Sequence, residues 1–102
     1  MAMEADRSVI AELLARGITT EVFPRADTTE DFAAIQDRLR MRSGEMVELL
    51  KIAGFTADTI THEGIEQPCE TCIYYLTRRK WCDLPELDMP VEPEWSCRLW
   101  RI

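Results

Sequence analysis

Apolar side chains recur three or four residues apart over residues 6–16, with polar positions between them. This spacing places the apolar positions on one face of a helix. Ser8 stands near the start of the stretch and Gly17 follows its end, and both residue types are common at helix termini. The pattern predicts an amphipathic helix over about residues 6–16, whose apolar face consists of Val9, Ile10, Leu13 and Leu14.

The same spacing returns over residues 28–54. Thr28 precedes carboxylates that suit the positive end of a helix, and Gly54 is a natural C-terminal stop. The apolar positions are Phe32, Ile35, Leu39, Met46, Leu49, Leu50 and Ala53. Because glycine in a helix interior costs about 1 kcal/mol relative to alanine, the segment is either one kinked helix or two helices that meet at Gly44.

Two further stretches lack a clear period. Residues 18–23 are rich in β-branched and aromatic side chains and end at Pro24, which predicts a short strand or an extended connector. Residues 56–65 fit either a helix or an extended segment.

The last third of the chain differs in composition. Residues 67–102 contain no glycine, but they hold all four cysteines, all three tryptophans and four of the five prolines. Prolines at this density prevent helices of useful length. We therefore predict an α-rich small domain, with helices at about residues 6–16 and 28–54 and an irregular, metal-stabilised C-terminal module. Residues 1–66 are the helical segment and residues 67–102 the four-cysteine metal-binding module, packed together as one domain.

Composition and charge narrow the function classes. A chain of 102 residues with 46% hydrophobic side chains predicts one folded domain, and a domain of this size gains noticeably from a metal or covalent staple. The formal net charge of −7 disfavours nucleic acid and anionic membranes as partners. The N-terminus lacks the basic and apolar regions of a secretion signal, and no apolar run approaches the roughly 20 residues of a membrane span. We expect a cytoplasmic protein.

The four cysteines are the main candidates for chemistry. Cys69 and Cys72 form a C-x2-C pair, whose spacing lets both sulfurs reach one ion or cluster from the same turn. Nine residues separate Cys72 from Cys82, and fourteen separate Cys82 from Cys97. In a reducing compartment, four cysteines this close favour metal or redox chemistry over structural disulfides. Cys69, Cys72, Cys82 and Cys97 are thus the predicted ligands of one metal centre.

The residue types and spacings leave the nature of this centre open. Zinc sites with four thiolates usually have two C-x2-C pairs, whereas this chain has one, and the spacing also differs from that of bacterial ferredoxins. A [4Fe–4S] cluster is the first hypothesis and Zn²⁺ the alternative. Ordinary buried thiols, two disulfides, and a dithiol redox pair at Cys69 and Cys72 are the remaining interpretations.

The residues around the last two cysteines carry a family resemblance. Cys82-Asp83-Leu84-Pro85 is similar to the leucine and proline turn after the third cysteine of high-potential iron–sulfur proteins. Trp95-Ser96-Cys97-Arg98-Leu99-Trp100 is similar to the pair of tryptophans that flanks the fourth cysteine of that family. The resemblance covers about residues 68–101, and it implies that the four cysteines ligate one [4Fe–4S] cluster.

A related resemblance suggests a role. Small subunits of cytoplasmic glycyl radical enzymes, such as benzylsuccinate synthase and hydroxyphenylacetate decarboxylase, carry clusters in similar modules. By analogy this chain is expected to be an accessory subunit or electron-transfer protein that works with a larger protein partner or redox enzyme. The alternative is a zinc-stabilised interaction adaptor, with a homo-oligomer formed through the long helix as a further expectation.

Independent catalysis is not expected. The chain has no G-x-S-x-G motif, no Gly-rich phosphate loop, and no second histidine beside His62 to pair with a cysteine nucleophile. Around the cysteines, an apolar wall is expected from Tyr74, Tyr75, Trp81, Trp95 and Trp100. Cations that favour thiolates are expected from Arg78, Arg79, Lys80, Arg98 and Arg101.

Overall fold

The computed structural model describes residues 2–102, and it describes side chains from Arg7 onward. It contains three α-helices: α1 at Ala2–Ala15, α2 at Thr29–Arg40 and α3 at Met46–Ala53. Together they hold about a third of the chain. The first predicted helix is confirmed in place, but it begins four residues earlier than the sequence pattern indicated.

The ends of α2 and α3 follow the predicted capping signals. The Thr28 side chain accepts a hydrogen bond of 3.0 Å from the backbone N–H of Asp31, which satisfies a donor that the first turn cannot pair internally. Gly54 ends α3 in the left-handed conformation, with φ of 69°. Apolar side chains that the pattern placed on one face are buried, namely Phe32, Ile35, Leu39, Leu49, Leu50 and Ala53.

The segment predicted as helical over 28–54 is two helices. Gly44 has a φ of 85°, which no α-helix accommodates, and residues 41–45 form the turn between α2 and α3. Of the two arrangements that the sequence allowed, the structure has the second, in which two helices pack against each other. The continuous long helix on which self-pairing was expected is therefore absent from residues 28–54.

In the part of the chain that the structure describes, five short strands form two antiparallel sheets. In the first sheet, β1 at Thr61–His62 pairs with β2 at Ile65–Glu66. In the second, β4 at Trp81–Cys82 lies between β3 at Tyr75–Leu76 and β5 at Met89–Pro90.

These sheets show that the predicted α-rich fold class was wrong, because the protein is mixed α/β. The C-terminal module, predicted to be irregular, contains a three-stranded sheet. Its turns depend on left-handed backbone at ordinary residues, since Lys80 has φ of 50° and Asp88 has φ of 42°. Pro90 is compatible with the sheet because it lies on β5, which is an edge strand.

One hydrophobic core joins the helices to the C-terminal strands. α1 packs against β5, and the buried cluster contains Ile10 from α1, Leu50 from α3 and Val91 after β5. Two of the four cysteines, Cys69 and Cys97, belong to the same buried cluster. The helical segment therefore forms one side of the environment in which the cysteines lie.

Within residues 2–102, no helix combines the length and the apolar composition needed to cross a bilayer.

Candidate metal centre

All four cysteine side chains line one cavity. Its empty volume, including its open mouth, is about 290 Å³. The other lining residues are apolar or aromatic: Phe55, Tyr74, Tyr75, Val91 and Trp100. The four thiols that the sequence singled out, which span 29 positions of the chain, thus meet at one place in an apolar setting.

The C-x2-C pair sits on a single turn of 3-10 helix, Cys69–Thr71. The backbone N–H of Cys72 donates to the carbonyl of Cys69 at 2.9 Å, which turns both side chains of the pair toward the cavity. The N–H of Cys69 donates to the carbonyl of Trp95 at 2.6 Å. This last bond attaches the pair to the segment that carries Cys97.

Cys82 lies on the central strand of the three-stranded sheet. It is the register partner of Tyr75 on β3 and of Met89 on β5. A central strand is held from both sides, so the backbone of Cys82 is better constrained than a loop residue would be.

Cys97 is positioned by the residues before and after it. Ser96 and Thr56 exchange two backbone hydrogen bonds, of 2.8 and 3.0 Å, and form an isolated antiparallel bridge. On the other side, the N–H of Arg98 donates to the carbonyl of Ala53 at 2.9 Å. The Cys97 segment is therefore fastened to the C-terminal end of α3.

Cys82 and Cys97 share a local arrangement. Each is followed two residues later by a buried leucine, Leu84 or Leu99, whose backbone N–H forms a hydrogen bond that stabilises the thiolate of the cysteine. Such N–H to sulfur bonds favour the deprotonated ligand and tune a metal centre. The Cys-x-Leu sequence of both sites is the local signal for this arrangement.

Burial disfavours the thiolate form of the cysteines in this cavity. It raises the pKa of Cys69 and Cys82 above the ordinary thiol value, and it raises the pKa of Cys97 to about 12. The other cysteines add to the rise, because negative charges would repel one another there. An electropositive group between the sulfurs removes both penalties, so this donor set is suited to a metal centre.

The sulfurs are spaced more widely than a single ion requires. Four thiolates bound at about 2.3 Å to one zinc ion lie about 3.8 Å apart in a tetrahedron. In the described part of the chain, no three cysteines bring their sulfurs within 4.8 Å of one another. A cluster binds each thiolate through a different iron and so holds them farther apart than one ion does.

The thiols are not joined in disulfides, since all four cysteines are free. Cys69 and Cys97 are buried, whereas Cys72 and Cys82 are partly exposed.

Two buried arginines lie behind Cys97. Arg25 donates from Nη2 to the Cys97 carbonyl at 2.8 Å, and from Nε and Nη2 to Gln67 Oε1 at 3.1 and 2.6 Å. Arg98 donates from Nε to the Ile52 carbonyl at 2.9 Å. Both guanidinium groups lower the pKa of Cys97, against the larger effect of burial. Arg98 is among the cations predicted from the sequence, whereas Arg25 and Gln67 are not, since no motif marks them.

The predicted apolar wall is only partly correct. Tyr74, Tyr75 and Trp100 line the cavity. Trp95 is buried in the core instead, and Trp81 lies under the guanidinium of Arg79, 4.4 Å from its ring centre. Phe55 and Val91 complete the wall and were not predicted.

The predicted cations lie in different environments, some buried or stacked on an aromatic ring and some exposed. Arg98 is buried beside Cys97, and the guanidinium of Arg101 stacks 4.4 Å from the ring centre of Phe32. Arg78, Arg79 and Lys80 are exposed around the β3–β4 turn. These three charges are therefore screened by water and contribute less to thiolate stabilisation than Arg98 does.

A second group of potential ligands lies on the surface. His62 Nε2 is 3.3 Å from Asp27 Oδ2 and 3.1 Å from Glu63 Oε2. The three ligand atoms lie within 4.8 Å of one another. The two carboxylates are exposed, and hydrogen bonding of a surface imidazole to them explains this arrangement without a metal ion.

No protein-family model, curated protein or solved structure matches this chain.

Proposed function

We propose that this chain is a small iron–sulfur protein that binds one [4Fe–4S] cluster through Cys69, Cys72, Cys82 and Cys97. The observation that carries the proposal is the meeting of four free thiols in one apolar cavity, where no three sulfurs lie within 4.8 Å of one another. The chemistry of the surrounding residues also supports such a group. Backbone N–H groups lower the pKa of Cys82 and Cys97 by hydrogen bonding, and two buried guanidinium groups lower the pKa of Cys97 further.

The biological role that we propose is electron transfer, or support of a larger redox enzyme as an accessory subunit in the cytoplasm. The bound cluster supplies one-electron chemistry. The chain's own residues supply the ligands, and apolar and aromatic side chains line the cavity around them. We propose no catalytic residue, because neither the cavity nor the surface group of Asp27, His62 and Glu63 has the nucleophile and base of a hydrolase or transferase.

The first test is metal analysis of protein purified without oxygen. A [4Fe–4S] protein should be brown, absorb at about 400 nm and contain about four irons and four sulfides per chain. Mössbauer spectra should show all iron in one cluster type. Colourless protein with one zinc per chain would support a zinc-stabilised adaptor and overturn the proposal.

The second test assigns the ligands. Replacing Cys97 by serine should abolish or severely reduce cluster content, because the buried ligand cannot be supplied by water. A matched control is Ser43→Ala, at an exposed turn residue, which should leave iron content unchanged. Full iron content in all four single Cys→Ser variants would contradict ligation by these residues.

A further inference from the structure

Arg25 is a buried cation whose hydrogen-bond acceptors are neutral. Only 3% of the residue is exposed. Its guanidinium donates to Gln67 Oε1, to the carbonyl of Cys97 at 2.8 Å and to the carbonyl of Val22 at 3.3 Å. Asp27 attracts it electrostatically, but the described residues contain no ion pair between Arg25 and a carboxylate.

The neighbouring buried cation is compensated. Arg98 lies 3.2 Å from the carboxylate of Glu21, which also pairs with Arg38 on α2. The two arginines thus differ in a way that matters for electrostatics. Arg98 pairs directly with a carboxylate, whereas Arg25 is buried among neutral acceptors and is attracted by Asp27 without pairing with it, an arrangement that is normally costly.

A cluster held by the four cysteines would lie on the other side of Cys97 from Arg25 and would supply a negative charge there. Four thiolates and an iron–sulfur core make a dianion in the oxidised state and a trianion after one-electron reduction. The backbone of Cys97 is the direct link between this group and Arg25. Coulomb interactions are strong where water is excluded, so a fixed positive charge here stabilises the trianion more than the dianion.

We propose that Arg25 sets the reduction potential of the bound cluster, by anchoring the Cys97 ligand and by favouring the more negative, reduced state. This inference rests on the proposed function. In the reduction itself, one electron passes to the cluster from an external one-electron donor, dithionite in the experiment, and no bond is formed or broken. Arg25 is a positioning residue, since it acts through Cys97 and the field of its charge.

Gln67 holds the side chain of Arg25 in position. Its side-chain oxygen accepts two bonds from Arg25, and its carbonyl accepts from Ser96 Oγ at 2.7 Å. A glutamate at this position would offer the same acceptor and add a negative charge. The glutamine therefore holds the guanidinium in place without neutralising it.

The test uses the full chain, loaded with its cluster and titrated with dithionite under redox control, with the reduced cluster followed by EPR. The variants are Arg25→Gln, which removes the charge, and Gln67→Glu, which keeps the geometry and neutralises it. Arg25→Lys is the conservative variant, and Arg42→Gln removes a charge from an exposed position as the matched control. Iron content is measured first for each protein.

The expected result is a shift of the midpoint potential to more negative values in Arg25→Gln and Gln67→Glu. Arg25→Lys keeps the positive charge, so its midpoint potential should lie close to that of the wild type. Arg42→Gln should have the wild-type potential. If both neutralising variants carry a full cluster at the wild-type potential, the inference fails while the proposed function stands. Loss of the cluster from both variants also counts against it, since Arg25 would then be required for assembly. Wild-type protein without iron refutes the proposed function instead.

Discussion

The guanidinium of Arg25 donates a hydrogen bond of 2.8 Å to the carbonyl oxygen of Cys97, although 72 positions separate the two residues in the chain. The bond joins the connector before α2 to the segment that carries the last cysteine. It also places a positive charge beside the thiol whose pKa burial raises to about 12. The fold and the electrostatics of the candidate centre thus depend on the same contact.

Removal of the proposed cluster should loosen the C-terminal module more than the helices. Each strand of the β3–β4–β5 sheet has two residues, so its ladder supplies few hydrogen bonds, and ligation by the four cysteines would add the cross-link that holds it. Chelation after oxidation should accelerate amide exchange at Tyr75 and Cys82. The amide of Leu39 in α2 serves as the internal control, and equal acceleration at all three sites would contradict this dependence.

Substitution of Gly54 by alanine should destabilise the protein by more than the same change at Gly44. Both glycines have positive φ, of 69° and 85°, which costs an L-residue about 1–2 kcal/mol. A Cβ at position 54 would also overlap the carbonyl oxygen of Glu21, whereas position 44 has nothing within 4 Å. Chemical denaturation of the two variants measures the difference, and equal losses would show that the close approach of Glu21 costs nothing.

Loss of the Thr28 hydroxyl should cost about 1 kcal/mol of stability, as for other N-cap residues. The reason is that Thr28→Ala leaves the N–H of Asp31 without its side-chain acceptor. The matched control is Thr29→Ala, which removes the same atoms from the exposed first residue of α2. Denaturation midpoints should fall for the first variant and stay close to the wild type for the second.

The Glu21 carboxylate should stabilise the protein at neutral pH and lose that effect in acid. Its hydrogen bonds to Arg38 lower its pKa below the ordinary value of 4.5, aided by Arg98 and opposed by partial burial. A lowered pKa in the folded state means that stabilisation is complete above the unfolded value and disappears as the pH falls through the folded value.

The test compares Glu21→Gln with the wild type across this range. The variant should be less stable at pH 7, and the difference should shrink as the pH drops below 4.5. Glu48→Gln, whose carboxylate is 3.8 Å from the Lys51 amine on the surface, is the control. A difference that stays constant down to the lowest pH would contradict the role of the Glu21 charge.

Local signals predicted the helices well. The Thr28 cap, the Gly54 stop and the buried stripe of α2 and α3 depend on residues within one or two turns of each other, so the chain encodes them directly. The strands could not be found in the same way. Two-residue strands are too short to show a period of two, and their pairing is set by turns at Lys80 and Asp88 that carry no glycine.

The sequence by itself determined the candidate ligands, since four cysteines in one region form a pattern that needs no coordinates to detect. Only the tertiary structure decided how these thiols are spaced, which aromatic side chains enclose them, and which cations reach them. Arg25 and Gln67 lie 42 residues apart, and a contact between them leaves no local signature. The physical reason is that burial and charge are set by distance in space, and the folded core alone brings such residues together.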